Sequence, residues 1–499
     1  MASSHGKPVR KVVIAGGGTA GWTVAAALAK NLGSMLAIEL VESDAIGTVG
    51  VGESTIPTAR RFHEILGLSE ADFVRATGAS FKLGISFENW AREGERYFHS
   101  FGSTGRSTWM ADFQHIWLEA QALGVAGPIG DYSLETQAAL AGKFRTGGNV
   151  PLNYAYHLDA TAYGLFLRDF ATKFGAVRTE GRITEVRRDG LSGDIAALVL
   201  DSGAVIEGDL FIDCTGFHGL LIEEALETGF EDWTHWLSTD RALAVQTAAT
   251  GPARPYTRAI AHDAGWQWQI PLQRRVGNGL VYASAHLSDD AALERLAQRL
   301  EGEMLTQPRL IRFRTGTRRK AWNRNCIAMG LSSGFVEPLE STSIHLIMIA
   351  VTRLMQLFPF NGVTEALADR YNALSRAELE GIRDFIILHY HLNGREGEPF
   401  WDACRALELP DTLAARIELF RESATAFQAS DELFRVDSWV QVMLGQGLAP
   451  EGYHKLGQMI GRDRLRQSLA ELERGIGQQV AALPTHQQFL DQYTALVAA

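Results

Sequence analysis

The stretch KVVIAGGGTAGW, residues 11–22, decides the fold of this 499-residue chain. Residues 11–15 predict a strand, because a continuous apolar run is typical of a strand buried on both faces. Residues 22–32 predict a helix, and residues 36–41 predict a second strand that is followed by Glu42. A strand, a helix and a strand in this order make one βαβ unit, which indicates a parallel sheet.

The glycines of this stretch follow the pattern Gly16-x-Gly18-x-x-Gly21, and each has its own physical role. Gly16 permits the tight turn, Gly18 lets a pyrophosphate approach the backbone, and Gly21 lets the helix pack closely on the strand. The pyrophosphate of a dinucleotide would lie at the helix N-terminus, where unpaired N–H groups and the helix dipole favour anions. The alternative is a glycine-rich turn without a ligand.

Three more residues complete the predicted nucleotide site. Glu42 comes 21 residues after Gly21, and its carboxylate would accept hydrogen bonds from the adenosine ribose. Thr19 and Ala20, within the glycine loop, are assigned to the same cofactor site.

Two later glycine-containing segments favour FAD over NAD. The segment GTVGVGESTIP, residues 47–57, is unusual after a plain NAD site, and it supplies Val49 and Gly50 to the predicted cofactor site. The segment GDLFIDCTG, residues 208–216, resembles a second patch of FAD monooxygenase folds, where a strand ends beside the flavin. An alternative for this patch alone is an ordinary buried strand and turn. Val186, on a further predicted strand, is also assigned to the cofactor.

Composition and charge exclude some classes of protein. Hydrophobic residues make up 46% and charged residues 21% of the chain, which are ordinary globular values and exclude a disordered chain. The net charge of −11 and the absence of a long basic run exclude nucleic acid as a partner. The 14 histidines and the three cysteines show no metal-ligand spacing, so no metal site is predicted.

Cysteine usage and hydropathy predict a cytoplasmic protein without a membrane segment. Three cysteines cannot pair completely, which favours a reducing compartment. The N-terminal MASSHGKPVRK has no apolar signal region, and the longest apolar run, residues 344–351, is far shorter than a membrane span.

The hydrophobic period changes along the chain from strand-like to helical. An α/β body with interleaved FAD-binding and substrate parts is predicted over residues 7–340, and a mainly helical part packed on it over 341–499. Further strands are predicted at 177–187, 195–200, 204–217, 242–250, 266–271 and 280–286, and helices at 343–358, 363–391, 411–426 and 463–482.

The chain resembles the flavin-dependent halogenases of the tryptophan halogenase family. Four segments carry the resemblance, of which WQWQIP is the specific one: GGGTAGW (16–22), FKLGISFENW (81–90), WQWQIP (266–271) and GFVEPLESTSIH (334–345). The resemblance implies an FAD monooxygenase-like, Rossmann-type body with a mixed substrate sheet and a helical C-terminal part. It also implies FAD, supplied as FADH2 by a separate flavin reductase, together with O2 and a chloride or bromide ion.

In this resemblance, Lys82 and Glu340 are the catalytic residues. A lysine in apolar surroundings such as Phe81 and Leu83 is costly to keep charged, so a neutral amine becomes accessible. The lysine at this position of the family handles hypohalous acid, by hydrogen bonding or as a haloamine. The matching glutamate orients the electrophile and accepts a proton from the substrate ring. The alternatives are a surface lysine and a glutamate that only stabilises a helix N-terminus.

Other positions match the family's halide and flavin contacts. Thr342 and Ser343 open a predicted helix whose unpaired N–H groups could bind a halide, although the family usually has glycine where this chain has Ser343. An ordinary Ser/Thr cap is the alternative. Leu331 and Ile344 match positions that contact the isoalloxazine.

The WQWQIP motif implies a barrier between flavin and substrate. Trp266, Trp268, Ile270 and Pro271 match it fully, and two stiff indole rings can exclude an organic substrate while leaving a narrow path. The alternative is one buried face of a strand.

The substrate is implied to be an electron-rich, indole-like aromatic other than free tryptophan. His99 and Phe101 match aromatic positions that sandwich the indole ring in the family, with core packing as the alternative. Enzymes that act on free tryptophan carry a zwitterion clamp of adjacent tyrosines, a glutamate and a Phe-Trp pair. Leu433-Phe434 and Trp439-Val440 stand in place of the two pairs here, so the clamp is absent.

Three other functions compete with halogenation. An FAD-dependent aromatic hydroxylase shares the cofactor fold but needs its substrate close to the flavin, which the Trp266 and Trp268 barrier opposes. A non-catalytic FAD-binding protein would have no need of Lys82 and Glu340. The alternative of an NAD(P)-dependent dehydrogenase is supported by the glycine motif alone. The oligomeric state is left open.

Overall fold

The computed structural model describes residues 7–47 and 52–495. Val49 and Gly50, both assigned to the cofactor, therefore lie outside the described residues. Within the described residues the α-helices are α1 (Thr19–Leu32), α2 (Thr58–Leu66), α3 (Glu70–Thr77), α4 (Phe113–Ala122), α5 (Leu134–Leu140), α6 (Ala160–Lys173), α7 (Asp289–Gln298), α8 (Ser343–Gln356), α9 (Glu365–His391), α10 (Pro399–Arg405), α11 (Asp411–Ser423), α12 (Val436–Gly445), α13 (Leu456–Ile460), α14 (Arg462–Ala481) and α15 (His486–Ala495).

The strands fall into several sheets. They are β1 (Lys11–Ala15), β2 (Ala37–Glu42), β3 (Gly52–Ser54), β4 (Ser80–Lys82), β5 (Gly84–Glu88), β6 (Arg96–Ser100), β7 (Ala155–Asp159), β8 (Val177–Glu180), β9 (Ile183–Arg188), β10 (Ile195–Leu200), β11 (Val205–Glu207), β12 (Leu210–Asp213), β13 (Phe230–Asp232), β14 (Arg241–Ala248), β15 (Thr257–His262), β16 (Gly265–Pro271), β17 (Arg275–Tyr282), β18 (Arg309–Arg312), β19 (Gly316–Arg318), β20 (Trp322–Asn323), β21 (Cys326–Ala328) and β22 (Gly334–Phe335).

Backbone contacts divide the chain into two compact units, each made of three stretches. The first comprises the described residues of Met1–Thr77, Leu158–Leu237 and Phe313–Glu380. The second comprises the described residues of Gly78–His157, Ser238–Arg312 and Gly381–Ala499. Stretches on both sides of residue 340 enter both units, so the units cross the boundary that the hydrophobic period predicts. The expected domains, 7–340 and 341–499, remain a prediction.

The first unit is built on a Rossmann-type sheet with the strand order β20-β21-β12-β1-β2-β8. β1 pairs in parallel with β2 on one side and with β12 on the other. Val12 to Ala15 are fully buried, which explains why this stretch is apolar without alternation. The predicted βαβ unit is confirmed, and the N-terminus of α1 lies at the carboxyl end of β1, where such folds bind ligands.

The second unit is built on a mixed sheet with the strand order β18-β14-β17-β16-β15-β5-β6. β14, β17, β16 and β15 are neighbours in that order and pair antiparallel, whereas β15 pairs in parallel with β5. All seven residues of β16 are buried. β4 pairs antiparallel with β7 beside this sheet. Together with the Rossmann-type sheet, this architecture confirms the predicted α/β fold with a mixed substrate sheet.

Two predicted strands differ from the structure. The segment 177–187 forms two strands, β8 and β9, because the backbone turns at Gly181, which has a φ of +156°. β8 joins the Rossmann-type sheet, and β9 joins a separate three-stranded sheet with β10 and β11. The strand predicted at 280–286 is the end of β17, which begins earlier, at Arg275, and ends at Tyr282.

Candidate active site

The glycine loop between β1 and α1 has the geometry of a phosphate-binding cradle. Gly16 has a φ of +103°, and a Cβ there would lie 2.4 Å from the carbonyl oxygen of Cys214. A Cβ on Gly21 would lie 1.9 Å from the carbonyl oxygen of Gly16. At Gly18, by contrast, no described atom lies within 4 Å of the Cβ position, so this side of the loop is open. Close packing therefore requires Gly16 and Gly21, whereas Gly18 leaves space for the predicted pyrophosphate.

Glu42 ends β2 beside this loop, as the motif predicts. Its Oε1 accepts a hydrogen bond from Arg178 Nε at 2.5 Å, and its Oε2 accepts one from Trp22 Nε1 at 3.3 Å. The carboxylate lies over Gly17, where a Cβ would be 1.5 Å from Oε2. An ionised carboxylate has about four acceptor positions, so two remain for ribose hydroxyl groups.

The segments predicted to contact the flavin meet within the first unit. A Cβ on Gly330 would lie 2.9 Å from Cβ of Ala20 and 3.5 Å from a side-chain carbon of Ile347 on α8. Leu331 follows Gly330 in a short 3-10 turn, and Ile344 lies in the first turn of α8. The open glycine cradle leaves room for the predicted dinucleotide, and Leu331 and Ile344 would lie near its flavin end.

The N-terminus of α8 is available to a small anion. Thr342 precedes the helix and Ser343 begins it, and among the described residues no side chain caps this helix and no acidic residue stands in its first turn. The first N–H groups of a helix have no intrahelical acceptor and carry a partial positive charge. Ser341 has a φ of +59°, a rare conformation for serine, and Glu340 before it is 1% exposed.

A buried network that the sequence does not reveal anchors α8. His345 Nδ1 is 2.9 Å from Thr58 Oγ1, and His345 Nε2 is 2.8 Å from Oε1 of Glu378. Arg353 forms an ion pair with the same carboxylate. Burial opposes ionisation of Glu378, but these two partners hold its pKa below the ordinary value. The partners come from α2, α8 and α9, so no local motif could have indicated them.

Val186 is the predicted cofactor residue that lies apart from the glycine loop in the fold. It is on β9, where it pairs with Leu198 of β10 and packs against the core formed with β1 and β12. Its assignment to the cofactor remains a prediction.

In the second unit, Lys82 ends the short strand β4 and is 0% exposed. Its Nζ is 5.2 Å from the centre of the Phe101 ring, within the range of a cation–π contact. His99 lies on β6 and is 3% exposed. The structure thus brings the predicted lysine together with one of the two residues predicted to sandwich the substrate.

The two tryptophans of WQWQIP share one face of β16. Their ring centres are 6.1 Å apart, and Trp266 is also 6.2 Å from the Trp90 ring. Gly279 of β17 is paired with Trp268, and a Cβ on Gly279 would lie 2.0 Å from the indole. Glycine is therefore needed on the neighbouring strand to hold the Trp268 ring. The buried Nε1 of Trp268 has no hydrogen-bond acceptor among the described residues.

Aromatic side chains cluster at the positions that the sequence assigns to the missing zwitterion clamp. Phe434 stacks on Phe385 with ring centres 3.8 Å apart, and Trp439 meets the edge of Phe385 at 4.8 Å. His99 lies 5.5 Å from Phe385 and 6.2 Å from Phe434. This aromatic cluster places apolar rings next to His99.

Neither a metal site nor a membrane span is found in the parts that the structure describes. Residues 7–47 and 52–495 hold no group of three His, Cys, Asp or Glu side chains placed to bind a metal ion. Across the same ranges, every helix is too short or too polar to cross a bilayer.

Comparison with known proteins identifies the family. The family model described as tryptophan halogenase matches residues 11–462. Tryptophan 7-halogenase RebH from Lentzea aerocolonigenes is 36% identical over 448 residues, 85% of this chain and 84% of that protein. Xcc4156, a flavin-dependent halogenase from Xanthomonas campestris, is 52% identical with a TM-score of 0.96, covering 98% of this chain and 99% of that chain. BrvH, a flavin-dependent halogenase from Brevundimonas sp. BAL3, is 44% identical with a TM-score of 0.94, covering 97% and 99%.

These matches extend over most of the chain. The predicted resemblance is confirmed. The chain belongs to the tryptophan halogenase family, and it is a flavin-dependent halogenase, an oxidoreductase that halogenates an aromatic substrate with FAD.

Proposed function

We propose that this enzyme takes FADH2 from a separate flavin reductase and halogenates an indole-like aromatic with hypohalous acid held at Lys82. The observation that carries the proposal is the burial of Lys82 at 0% exposure, with its Nζ 5.2 Å from the Phe101 ring. A fully buried lysine is costly to keep charged, so its place beside an aromatic ring supports a chemical role.

The first unit supplies the cofactor and halide positions. Gly16 to Gly21 hold the pyrophosphate, Glu42 holds the ribose, and Leu331 and Ile344 contact the isoalloxazine. Thr342 and Ser343 donate backbone N–H groups to chloride or bromide. Bound reduced FAD, with O2 and halide, supplies hypohalous acid.

The second unit supplies the selectivity. The indoles of Trp266 and Trp268, with Ile270 and Pro271, exclude organic molecules from the flavin and let the small hypohalous acid pass. His99 and Phe101 hold the substrate ring on its two faces. Lys82 binds the hypohalous acid by hydrogen bonding and holds its halogen toward that ring.

The halogen transfer balances without a further reactant. The ring carbon forms a bond to the halogen as the halogen–oxygen bond breaks, and the oxygen leaves with the bonding electrons. Glu340 accepts the proton that the ring then loses, and that proton joins the leaving hydroxide as water. The net change is one arene C–H and one hypohalous acid converted to an aryl halide and water.

The substrate is proposed to be an indole-like aromatic without an amino-acid group. RebH is named as a tryptophan 7-halogenase. In this chain Phe434 and Trp439 stand where that class carries its clamp, and both rings pack on Phe385. Apolar rings cannot replace the hydrogen bonds that a free ammonium and carboxylate group would need.

One competition assay tests the proposal. The enzyme is mixed with FAD, a flavin reductase, NADH, O2 and bromide, with indole and free tryptophan offered together, and the products are analysed by mass spectrometry. Brominated indole in large excess over brominated tryptophan is expected. Equal bromination of tryptophan would contradict the substrate, and an oxygenated product without halogen would contradict the reaction.

A pair of lysine variants tests the role of Lys82. K82M should abolish brominated product while FAD still binds, because only the amine is removed and most of the buried volume is kept. K173M, at the exposed end of α6, is the matched control and should leave product unchanged. Full activity of K82M would overturn the catalytic assignment.

A further inference from the structure

A buried chain of hydrogen bonds lies beside Lys82. His157 on β7 has its Nδ1 3.1 Å from Ser80 Oγ and its Nε2 2.9 Å from Thr257 Oγ1. Ser80 Oγ in turn donates to the carbonyl oxygen of Pro271 at 2.5 Å. Ser80 and His157 are 0% exposed and Thr257 is 4% exposed, so water does not compete for these bonds.

The Pro271 carbonyl determines which group donates and which accepts in each of these hydrogen bonds. A carbonyl oxygen only accepts, so the single hydroxyl hydrogen of Ser80 is committed to Pro271. Ser80 Oγ must then accept from Nδ1–H of His157. In a neutral ring the other nitrogen is an acceptor, and Nε2 receives the hydroxyl hydrogen of Thr257. One tautomer of the neutral imidazole therefore satisfies every member of the chain.

The surroundings of His157 also favour the neutral ring. Burial is the main cause that holds the pKa of His157 well below its ordinary value, and the nearby Lys82 and His486 add to it. His157 is accordingly uncharged at neutral pH. As a neutral ring it can donate one hydrogen bond from Nδ1 and accept one at Nε2.

Strand register places this chain on the same face as Lys82. In the antiparallel pair of β4 and β7, Ser80 is opposite His157 and Lys82 is opposite Ala155. Opposite residues point to the same face of a sheet, and alternate residues of a strand do so as well. Ser80, Lys82, Ala155 and His157 therefore share one face, and His157 is a diagonal neighbour of Lys82.

The strand that carries Lys82 is held by its pairing with β7, by the hydrogen bond from the Phe81 amide to His486 and by one side-chain bond to the tryptophan strand. β4 contains three residues, and Lys82 is the last of them. Ser80 is the residue of β4 that is bonded by its side chain to Pro271, the last residue of β16, on which Trp266 and Trp268 lie. Ser80 therefore links the strand of Lys82 directly to the tryptophan strand, and the ring of His157 contacts the same hydroxyl group.

We propose that His157 is a positioning residue for Lys82, because its imidazole orients Ser80 and through it fixes the lysine-bearing strand to the strand of the two tryptophans. This inference rests on the proposed role of Lys82. If His157 only filled space, its loss would lower all activities together. If it positions Lys82, its loss allows hypohalous acid to form normally but to escape before the substrate reacts.

The test measures where the halogen goes. H157F keeps the ring volume but donates no hydrogen bond, whereas H157N can still donate to Ser80 from its amide. For each variant, brominated indole and bromination of a diffusible trap, monochlorodimedone, are measured per FADH2 oxidised. We expect H157F to lower the indole product about tenfold, as for one lost buried hydrogen bond, and to raise trap bromination correspondingly. H157N should recover most of the indole product.

Two further variants keep the result interpretable. S80A removes the hydroxyl group that links His157 to Pro271, and it should shift halogen to the trap as H157F does. This variant provides the test if H157F fails to fold. H157F added to K82M should change neither product nor trap beyond K82M alone. An unchanged partition in both H157F and S80A would overturn the positioning role. Normal indole bromination by K82M would instead overturn the proposed function on which it rests.

Discussion

At the scale of single residues, the three glycines of the nucleotide loop do different work. Gly21 is required by the backbone beside it, since a Cβ would meet the Gly16 carbonyl oxygen at 1.9 Å. Gly18 has a φ of −72°, which any residue adopts, and its Cβ position faces open space. The loop therefore separates a glycine needed for folding from one needed for the ligand.

This difference predicts opposite behaviour for G21A and G18A. G21A should destabilise the protein by about 1–3 kcal/mol, because overpacking against backbone cannot relax easily. G18A should leave the melting temperature without FAD unchanged but weaken FAD binding about tenfold, since the methyl group occupies the pyrophosphate position. Thermal melting and FAD titration measure the two effects. A G18A protein with full FAD affinity would contradict the assignment of the cradle.

At the scale of elements, the start of α12 holds the loop that presents Phe101. Arg435 donates to the carbonyl oxygen of Phe101 at 3.0 Å, and Asp437 Oδ1 accepts from the Thr104 amide at 2.9 Å. R435Q should raise KM for the aromatic substrate roughly tenfold, the loss of one charged hydrogen bond, with FAD affinity unchanged. D437N keeps an acceptor and should have a smaller effect. An unchanged KM in R435Q, measured by steady-state kinetics, would contradict this role.

The helix α15 predicts how stability depends on pH. His486 begins α15, accepts from the Phe81 amide at 3.1 Å and donates to the Ala253 carbonyl oxygen at 2.8 Å. Burial lowers the pKa of His486 to about 4. Between pH 6.5 and 4 the unfolded chain binds this proton and the folded chain does not, so acid favours unfolding.

The His486 contribution is present in full above pH 6.5, and about 2 kcal/mol of it is lost on going to pH 5. H486Q should therefore show a smaller fall in unfolding free energy between pH 7.5 and pH 5 by that amount. Denaturant titrations at the two pH values measure it. H235Q, at an exposed histidine, is the control and should behave as the unmodified protein. An equal pH dependence in H486Q would exclude His486 as the source.

Local patterns in the sequence predict the elements that carry their own signal. β1 begins at Lys11, the start of the first apolar run, and α8 begins at Ser343, where the helix is predicted to start. The WQWQIP motif lies within β16. Residues paired over long separations are different. His157 and Ser80 are 77 positions apart, and Glu378 and His345 are 33 apart, so only the fold reveals that they are partners. The sequence likewise shows Gly181 but not that the chain changes sheet there.

At the scale of the whole molecule, both units are discontinuous in sequence. Their six stretches alternate along the chain, so the backbone passes from one unit to the other five times. α9 is a continuous helix from Glu365 to His391, although the units divide between Glu380 and Gly381. Unfolding of one unit alone would therefore end α9 at the boundary between the two units.

This continuity predicts one cooperative unfolding transition rather than two. The FAD residues lie in the first unit, yet FAD at 100 times its dissociation constant should stabilise the entire transition by about 2.7 kcal/mol. Differential scanning calorimetry with and without FAD, with tryptophan fluorescence recorded in parallel, measures this directly. The fluorescence, to which tryptophans of both units contribute, should change in one transition with the same FAD-dependent midpoint as the calorimeter reports. A second transition insensitive to FAD would show that the two units unfold independently, because mass action raises the stability only of what unfolds together with the binding site.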